Sequence, residues 1–383
     1  MKPTLPAPAA AAKFGGLGEE AGLHLPTQVI DSLANDVLHL ILMPTEACNF
    51  RCVYCYESFA HGRMRPDVVR GVKALLGRRA AGLRSLTLSW FGGEPLLAVD
   101  IMEDILMHAH SLRDRYPRMH LGSDITTNAS TLSRARFERL LDLGVAHYQI
   151  SFDGPREWHD RKRIRADGGA TFDRIWSNLL AMRDLRREFT VLVRLHVDKE
   201  NHDAIPEFLA EYRDAFGGDE RFSLFFRLLS RWGGSHDADL AVFTQEEGDL
   251  ALDALRSGAE KQGLRTYRDA SAVPICYAAR ANSFVVRADG RLNKCTLALE
   301  QPGNQVGRIH PDGRVELDAP RMNQWVRGLV SLDPAALHCP MRGYADPTPQ
   351  PVRAPVEFVG SRTLAKRRTA PAASARAPAE TMR

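Results

Sequence analysis

The chain has 383 residues, 44% of them hydrophobic, and a formal net charge of +4. It is long enough to bury a core and to hold more than one domain, and no apolar run approaches the roughly 20 residues a membrane span needs, so no membrane partner is expected. Residues 346–383 carry seven Lys/Arg against three Asp/Glu, a surplus equal to that of the whole chain; the body is balanced, and its charge gives no reason to expect nucleic-acid binding.

Residues 1–36 are Ala- and Pro-rich and read as a partly disordered extension, too short for a domain of its own. Its start, MKPTLPAPAAAAKFGG, lacks the continuous apolar core of a secretory signal. The first regular element is the apolar strand LHLILMPT. Directly after it, EACNFRCVYCYE places Cys48, Cys52 and Cys55 in a C-x3-C-x2-C triplet. Zinc sites usually pair cysteines as C-x2-C and close four positions. Three thiolates can instead fix a cubane iron-sulfur cluster and leave one iron open to an amino-acid-like chelator.

Next, RPDVVRGVKALLGRRAA aligns Val68, Val69, Val72, Leu75 and Leu76 on one helical stripe, with Pro66 and Asp67 suited to its first turn. The strand SLTLSW then leads into WFGGEPLL, where Gly92 and Gly93 permit close backbone approach and Glu94 supplies a carboxylate at a strand's carboxyl end. The alternation continues: HLGSDITTN before RARFERLLDLG, AHYQISFDG before TFDRIWSNLLAMRDL, TVLVRLHVD before IPEFLAEYRDAF, and RFSLFFRLL before TQEEGDLALDALRSGAEKQG. This predicts an α/β chain with a partial (β/α)6 TIM-like barrel over 37–262. Its chemistry belongs at the carboxyl ends of the strands, where Asn128, Ser151, Asp153 and Arg194 also fall. Asn128 and Asp153 suit turns equally well. The run His159, Asp160, Arg161, Lys162, Arg163 reads as a solvated loop.

A small C-terminal hairpin and helix extension is expected over 263–344. SFVVR and RLNKC flank the turn Ala288-Asp289-Gly290, which brings Cys276 and Cys295 near each other; a second turn, HPDGRVEL, follows, and Cys339 lies in ALHCPMRGY. Residues 345–383, dominated by Pro, Ala and Arg, read as a disordered basic tail.

The cysteine triplet, with the aromatic Tyr54 before its third member, and the FGGEP segment together resemble the radical S-adenosylmethionine (SAM) superfamily. The resemblance covers roughly residues 37–343. It implies a 4Fe-4S cluster on Cys48, Cys52 and Cys55, and SAM contacts from Tyr54, Gly92, Gly93 and Glu94, the last three at the SAM amino group. It also implies that Asn128, Ser151 and Arg194 hold the ribose and carboxylate of SAM. Members often carry charged residues facing the active site where the 159–163 run lies. The C-x13-G-x4-C spacing of Cys276, Gly290 and Cys295 resembles SPASM and twitch extensions, which carry auxiliary clusters. Only Cys339 follows, and Ala336 stands where a partner cysteine is expected, so one auxiliary 4Fe-4S cluster is implied on Cys276, Cys295 and Cys339, with an open iron or a fourth ligand such as His338 or a substrate thiol.

FGGEP with ISFDGP and TFDRI is most similar to maturases of ribosomally made peptides. The implied activity is cleavage of SAM to a 5'-deoxyadenosyl radical and hydrogen abstraction from a precursor peptide, giving a cross-link, thioether or epimer. An electron donor of flavodoxin or ferredoxin type is implied. The alternatives are a twitch-type dehydrogenase acting on a small molecule, an anaerobic sulfatase-maturase-like enzyme, or a metal-binding electron carrier without catalysis. With every cysteine assigned to metal, nothing calls for disulfides, and a reducing cytoplasm is expected.

Overall fold

The structure, a computed structural model, describes residues 27–267 and 275–345. The expectations for residues 1–26 and for the basic tail from 346 onward lie outside these described residues.

The described chain starts with α1 (Thr27–Leu33), then β1 (Val37–Leu42), α2 (Pro66–Arg79), β2 (Ser85–Trp90), α3 (Val99–Arg115) and β3 (His120–Thr127). It continues through α4 (Arg134–Asp142), β4 (Val145–Phe152), α5 (Arg156–Lys162), α6 (Phe172–Arg183), β5 (Thr190–Val197), α7 (Ile205–Phe216), β6 (Phe222–Leu228) and α8 (Gln245–Lys261). The extension adds β7 (Ser283–Val286), β8 (Arg291–Asn293), β9 (Gln305–Ile309), β10 (Val315–Leu317), α9 (Ala319–Ser331) and α10 (Pro334–His338).

Strands β1 to β6 pair in sequence order, all parallel. This is the expected partial (β/α)6 barrel, with helices on the outer face. The alternation along β2 shows how the sequence builds it: Leu86, Leu88 and Trp90 are buried beneath the helices, and Ser85, Thr87 and Ser89 line the concave side. Helix α3 was not anticipated. Its signal is nevertheless in the sequence, since Ile101, Met102, Ile105, Leu106, Ala109 and Leu112 are buried at helical spacing.

The extension does not hang from the barrel by a linker alone. Strand β7 pairs parallel with β1, matching His39 to Ser283 and Leu42 to Val286, so the described strands form one sheet of order β10-β9-β8-β7-β1-β2-β3-β4-β5-β6. The two expected turns lie between β7 and β8 and between β9 and β10, each pair antiparallel. Val29 of α1 packs with Ile275, Ala279, Leu329 and Leu337 of the extension.

One expectation is corrected. The 159–163 run is not a solvated loop: it closes α5 and the residue after it, and His159, Lys162 and Arg163 are all buried. The charges are tolerated because each has a use inside. Lys162 pairs with Asp198, Arg163 Nη1 donates to the Tyr54 hydroxyl at 2.8 Å, and the His159 ring packs on Phe152 and Phe172.

Candidate functional site

The loop from Met43 to Arg65 leaves the carboxyl end of β1 and carries Cys48, Cys52 and Cys55. It is pinned from two sides. Arg51 N and Val53 N donate to the carbonyls of Ile164 (2.7 Å) and Lys162 (3.0 Å), and Glu94 N donates to Ala47 O (3.0 Å). The Gly-Gly step after β2 presses on the same loop. Gly92 has φ +119°, and a Cβ there would lie 2.3 Å from Thr45 O; one on Gly93 would lie 2.5 Å from Ala47 O. Both positions require glycine, to admit the backbone leading into Cys48.

The three thiols line a cleft of about 330 Å³ together with Tyr54, Gly92, Gly93, Asn128, Ser151 and Arg194. Burial pushes the Cys48 and Cys52 thiols up, and takes Cys55 up to about 12; the other two cysteines add to the rise at Cys48. Three adjoining buried thiolates are unstable without a cation, and soft iron in a cluster fits that donor set. Among the described residues no Cys, His, Asp and Glu side chains gather tightly enough for a single metal ion; a cubane spreads its thiolates wider than one ion does.

Glu94 departs from expectation. Its carboxylate does not face the cleft: it is wholly buried and accepts from Thr127 Oγ1 (2.7 Å), Leu96 N (3.0 Å) and Asn128 N (2.7 Å). Satisfied by three donors, it positions Asn128, whose Nδ2 donates to Asn49 Oδ1 at 2.9 Å and stands 4.0 Å from Cys48 Sγ.

Below Tyr54 lies a polar network the sequence did not announce. The Tyr54 hydroxyl donates to Asp153 Oδ1 (2.9 Å), and His196 Nδ1 lies 3.0 Å from the same oxygen. Burial opposes ionising Asp153, but the His196 hydrogen bond and the His196 and Arg163 charges overcome it, and the carboxyl sits well below its usual range. Asp153 Oδ2 and Arg163 Nε are buried without partners among the described residues. Asp153 was legible as a strand-end residue. The contacts of Arg163 and His196 were not, because only the tertiary fold brings the residue after α5 and the end of β5 to the Tyr54 hydroxyl.

In the extension, Cys276, Cys295 and Cys339 converge. The Cys276 thiol is raised by burial and then by the Cys295 and Cys339 charges, Cys276 N donates to Leu337 O at 2.9 Å, and Cys295 N donates to Asn304 Oδ1 at 2.8 Å. All six cysteines are free thiols. His338 is exposed at the end of α10. The residues beside these cysteines reach the first cleft: Tyr277 and Thr296, joined hydroxyl to hydroxyl at 2.7 Å, line its wall.

Residues 42–211 match the profile of the Radical SAM superfamily. The chain carries a radical SAM domain. This domain is one that works with a 4Fe-4S cluster and SAM, and its match spans the cysteine loop, the Gly-Gly step and β2 to β5. Among curated relatives, the cysteine-type anaerobic sulfatase-maturating enzyme of Clostridium novyi is 24% identical over 184 residues, 45% of this chain and 47% of that protein. The GTP 3',8-cyclase of Saccharophagus degradans is 32% identical over 140 residues, 36% and 40% of the two chains. The chain thus spans about half or less of the length of these relatives. Streptococcus suis SuiB bound to its precursor peptide SuiA shares the fold at a TM-score of 0.52 and 15% identity, over 82% of this chain and 72% of that one.

Proposed function

We propose that the chain is a radical SAM maturase acting on a ribosomally made precursor peptide. The observation that carries this reading is the shape of the site. The cysteine cleft shares Cys52, Cys55, Tyr56 and Glu57 with a broad groove of about 1020 Å³ that runs along 158–164, 198–200 and 233–240. An extended chain fits such an open groove better than a small metabolite does, since small-molecule pockets enclose most of their ligand.

In this reading Cys48, Cys52 and Cys55 would hold the cluster beside SAM, and the pair, when bound and given an electron by a flavodoxin- or ferredoxin-type donor, would supply radical chemistry for hydrogen abstraction. The protein's part is orientation and dryness. The Gly92-Gly93 backbone borders the SAM amino group, Asn128, Ser151 and Arg194 hold its ribose and carboxylate, and Tyr54 fixes the cluster loop through Asp153. Cys276, Cys295 and Cys339 hold one auxiliary cluster behind the Tyr277-Thr296 wall. No described helix is long and apolar enough to cross a membrane, and a cytoplasmic setting accords with six free thiols.

One observation favours a second reading, a small-molecule radical enzyme: three cysteines in the extension suffice for a single auxiliary cluster, as in twitch-type dehydrogenases. The test is to incubate the reconstituted, reduced protein and SAM with any short peptide found encoded in a neighbouring reading frame and to measure peptide mass and 5'-deoxyadenosine together. A mass change supports the maturase reading. Uncoupled 5'-deoxyadenosine, with the peptide unchanged, favours the small molecule.

A further inference from the structure

The cleft wall carries two arginines on neighbouring strands. The β5–β6 register pairs Arg194 with Phe225 and His196 with Arg227, so all four side chains lie on the concave face, and all four line the cysteine cleft. Two arginines therefore lie diagonally across adjacent strands in one partly buried wall. Like charges so placed are unfavourable unless an anion joins them.

Among the described residues neither pairs with a carboxylate. Arg194 Nε is buried with no hydrogen-bond partner. Burial pulls the Arg194 guanidinium below its usual value, and the Arg227 charge pulls it further. Burial likewise pulls the Arg227 guanidinium below its usual value. Among the described residues its guanidinium contacts the face of Trp232, 5.8 Å from the ring centroid, and Trp232 is itself held edge-on by Tyr56. A guanidinium held over a ring by cation–π attraction keeps N–H groups available to donate, and a pair of them can take a carboxylate bidentately.

SAM brings one carboxylate, which the proposed function gives to Arg194. We propose that Arg227, steadied on Trp232, anchors a carboxylate of the peptide substrate, either an Asp or Glu side chain or the chain's C-terminus. This rests on the maturase reading and narrows it to an acidic substrate segment.

The test uses the reconstituted full chain with SAM, presented with random-sequence decapeptide pools made both as free acids and as C-terminal amides. Sequencing of retained peptides is expected to show Asp or Glu enriched severalfold in both pools if a side chain is the anchor, or the free-acid pool alone retained if the C-terminus is. Arg227→Met should erase either preference, by about tenfold in retention, with SAM affinity by titration unchanged. Arg227→Lys, which keeps the charge without the fork, should retain a reduced preference and serves if Arg227→Met does not fold. Retention with no acidic preference overturns the anchor and leaves the maturase reading intact. Loss of SAM affinity in Arg227→Met reassigns the residue to SAM and also overturns it. No retention of any peptide removes the maturase reading, and the anchor with it.

Discussion

The guanidinium of Arg287, in the turn that follows β7, grips the carboxylate of Glu46, two residues before Cys48. Nε lies 3.1 Å from Oε1 and Nη2 2.5 Å from Oε2. Both side chains are buried, and Arg287 also donates to Leu299 O at 2.8 Å. The extension thereby holds the loop that carries the first three cysteines. Removing one partner strands the other charge, so Arg287→Met should lower stability by about 3–5 kcal/mol. The double variant with Glu46→Gln should recover part of that loss. Chemical unfolding of the three proteins checks the stability, and iron content after reconstitution checks the loop.

The two cysteine groups should be separable. The wild-type protein is expected to hold roughly eight irons per chain as two cubanes. Replacing Cys48, Cys52 and Cys55 by Ala should halve the iron and abolish 5'-deoxyadenosine. Replacing Cys276 and Cys295 should halve the iron and spare some SAM cleavage while product is lost. Iron assay with liquid chromatography of 5'-deoxyadenosine decides the matter, and a folded Cys276/Cys295 variant that cleaves no SAM would refute the division.

Glu94→Gln should act through Asn128. A neutral amide weakens three charge-assisted hydrogen bonds and offers a donor where only donors approach, a cost of about 1.5–3 kcal/mol. Weaker SAM binding should therefore be accompanied by lower thermal stability. A loss of SAM affinity with stability unchanged would instead mean that the carboxylate meets the ligand directly.

His159 predicts a pH dependence. Burial, and then the Arg163 charge, take it down to about 3, so it is neutral in the fold and becomes protonated only on unfolding below its ordinary value. Its contribution is full above about pH 6.5 and is lost as pH falls toward 3. The stability gap between wild type and His159→Gln should narrow by about 2 kcal/mol from pH 7 to pH 5. Urea midpoints at the two pH values measure it, and a constant gap would mean that His159 titrates alike in the folded and unfolded chains, and so is not held neutral by the fold.

Gly93→Ala should disturb the cysteine loop more than the barrel. The added Cβ meets the carbonyls of Ala47 and Glu46 at 2.5 and 2.6 Å, and backbone on both sides cannot yield cheaply. Iron loading on the first site should fall sharply while far-ultraviolet circular dichroism is retained.

Local patterns in the sequence determined the elements and the donor set. The apolar alternation of SLTLSW, the stripe of α2, the C-x3-C-x2-C triplet and the Gly-Gly step each depend on neighbours a few residues apart, and each lies in the structure where its pattern put it. Tertiary structure alone decided three things. It turned Glu94 inward, because Thr127 and Asn128 at the end of β3 supply its donors from more than thirty residues away. It buried Lys162 and Arg163 of the charged 159–163 run, because Asp198 and Tyr54 offer partners that no local window contains. It joined the extension to the barrel through β7 on β1 and Arg287 on Glu46, pairings more than two hundred residues apart. A one-dimensional pattern records which face of an element is apolar; which distant group satisfies a buried charge is fixed only when the sheet closes.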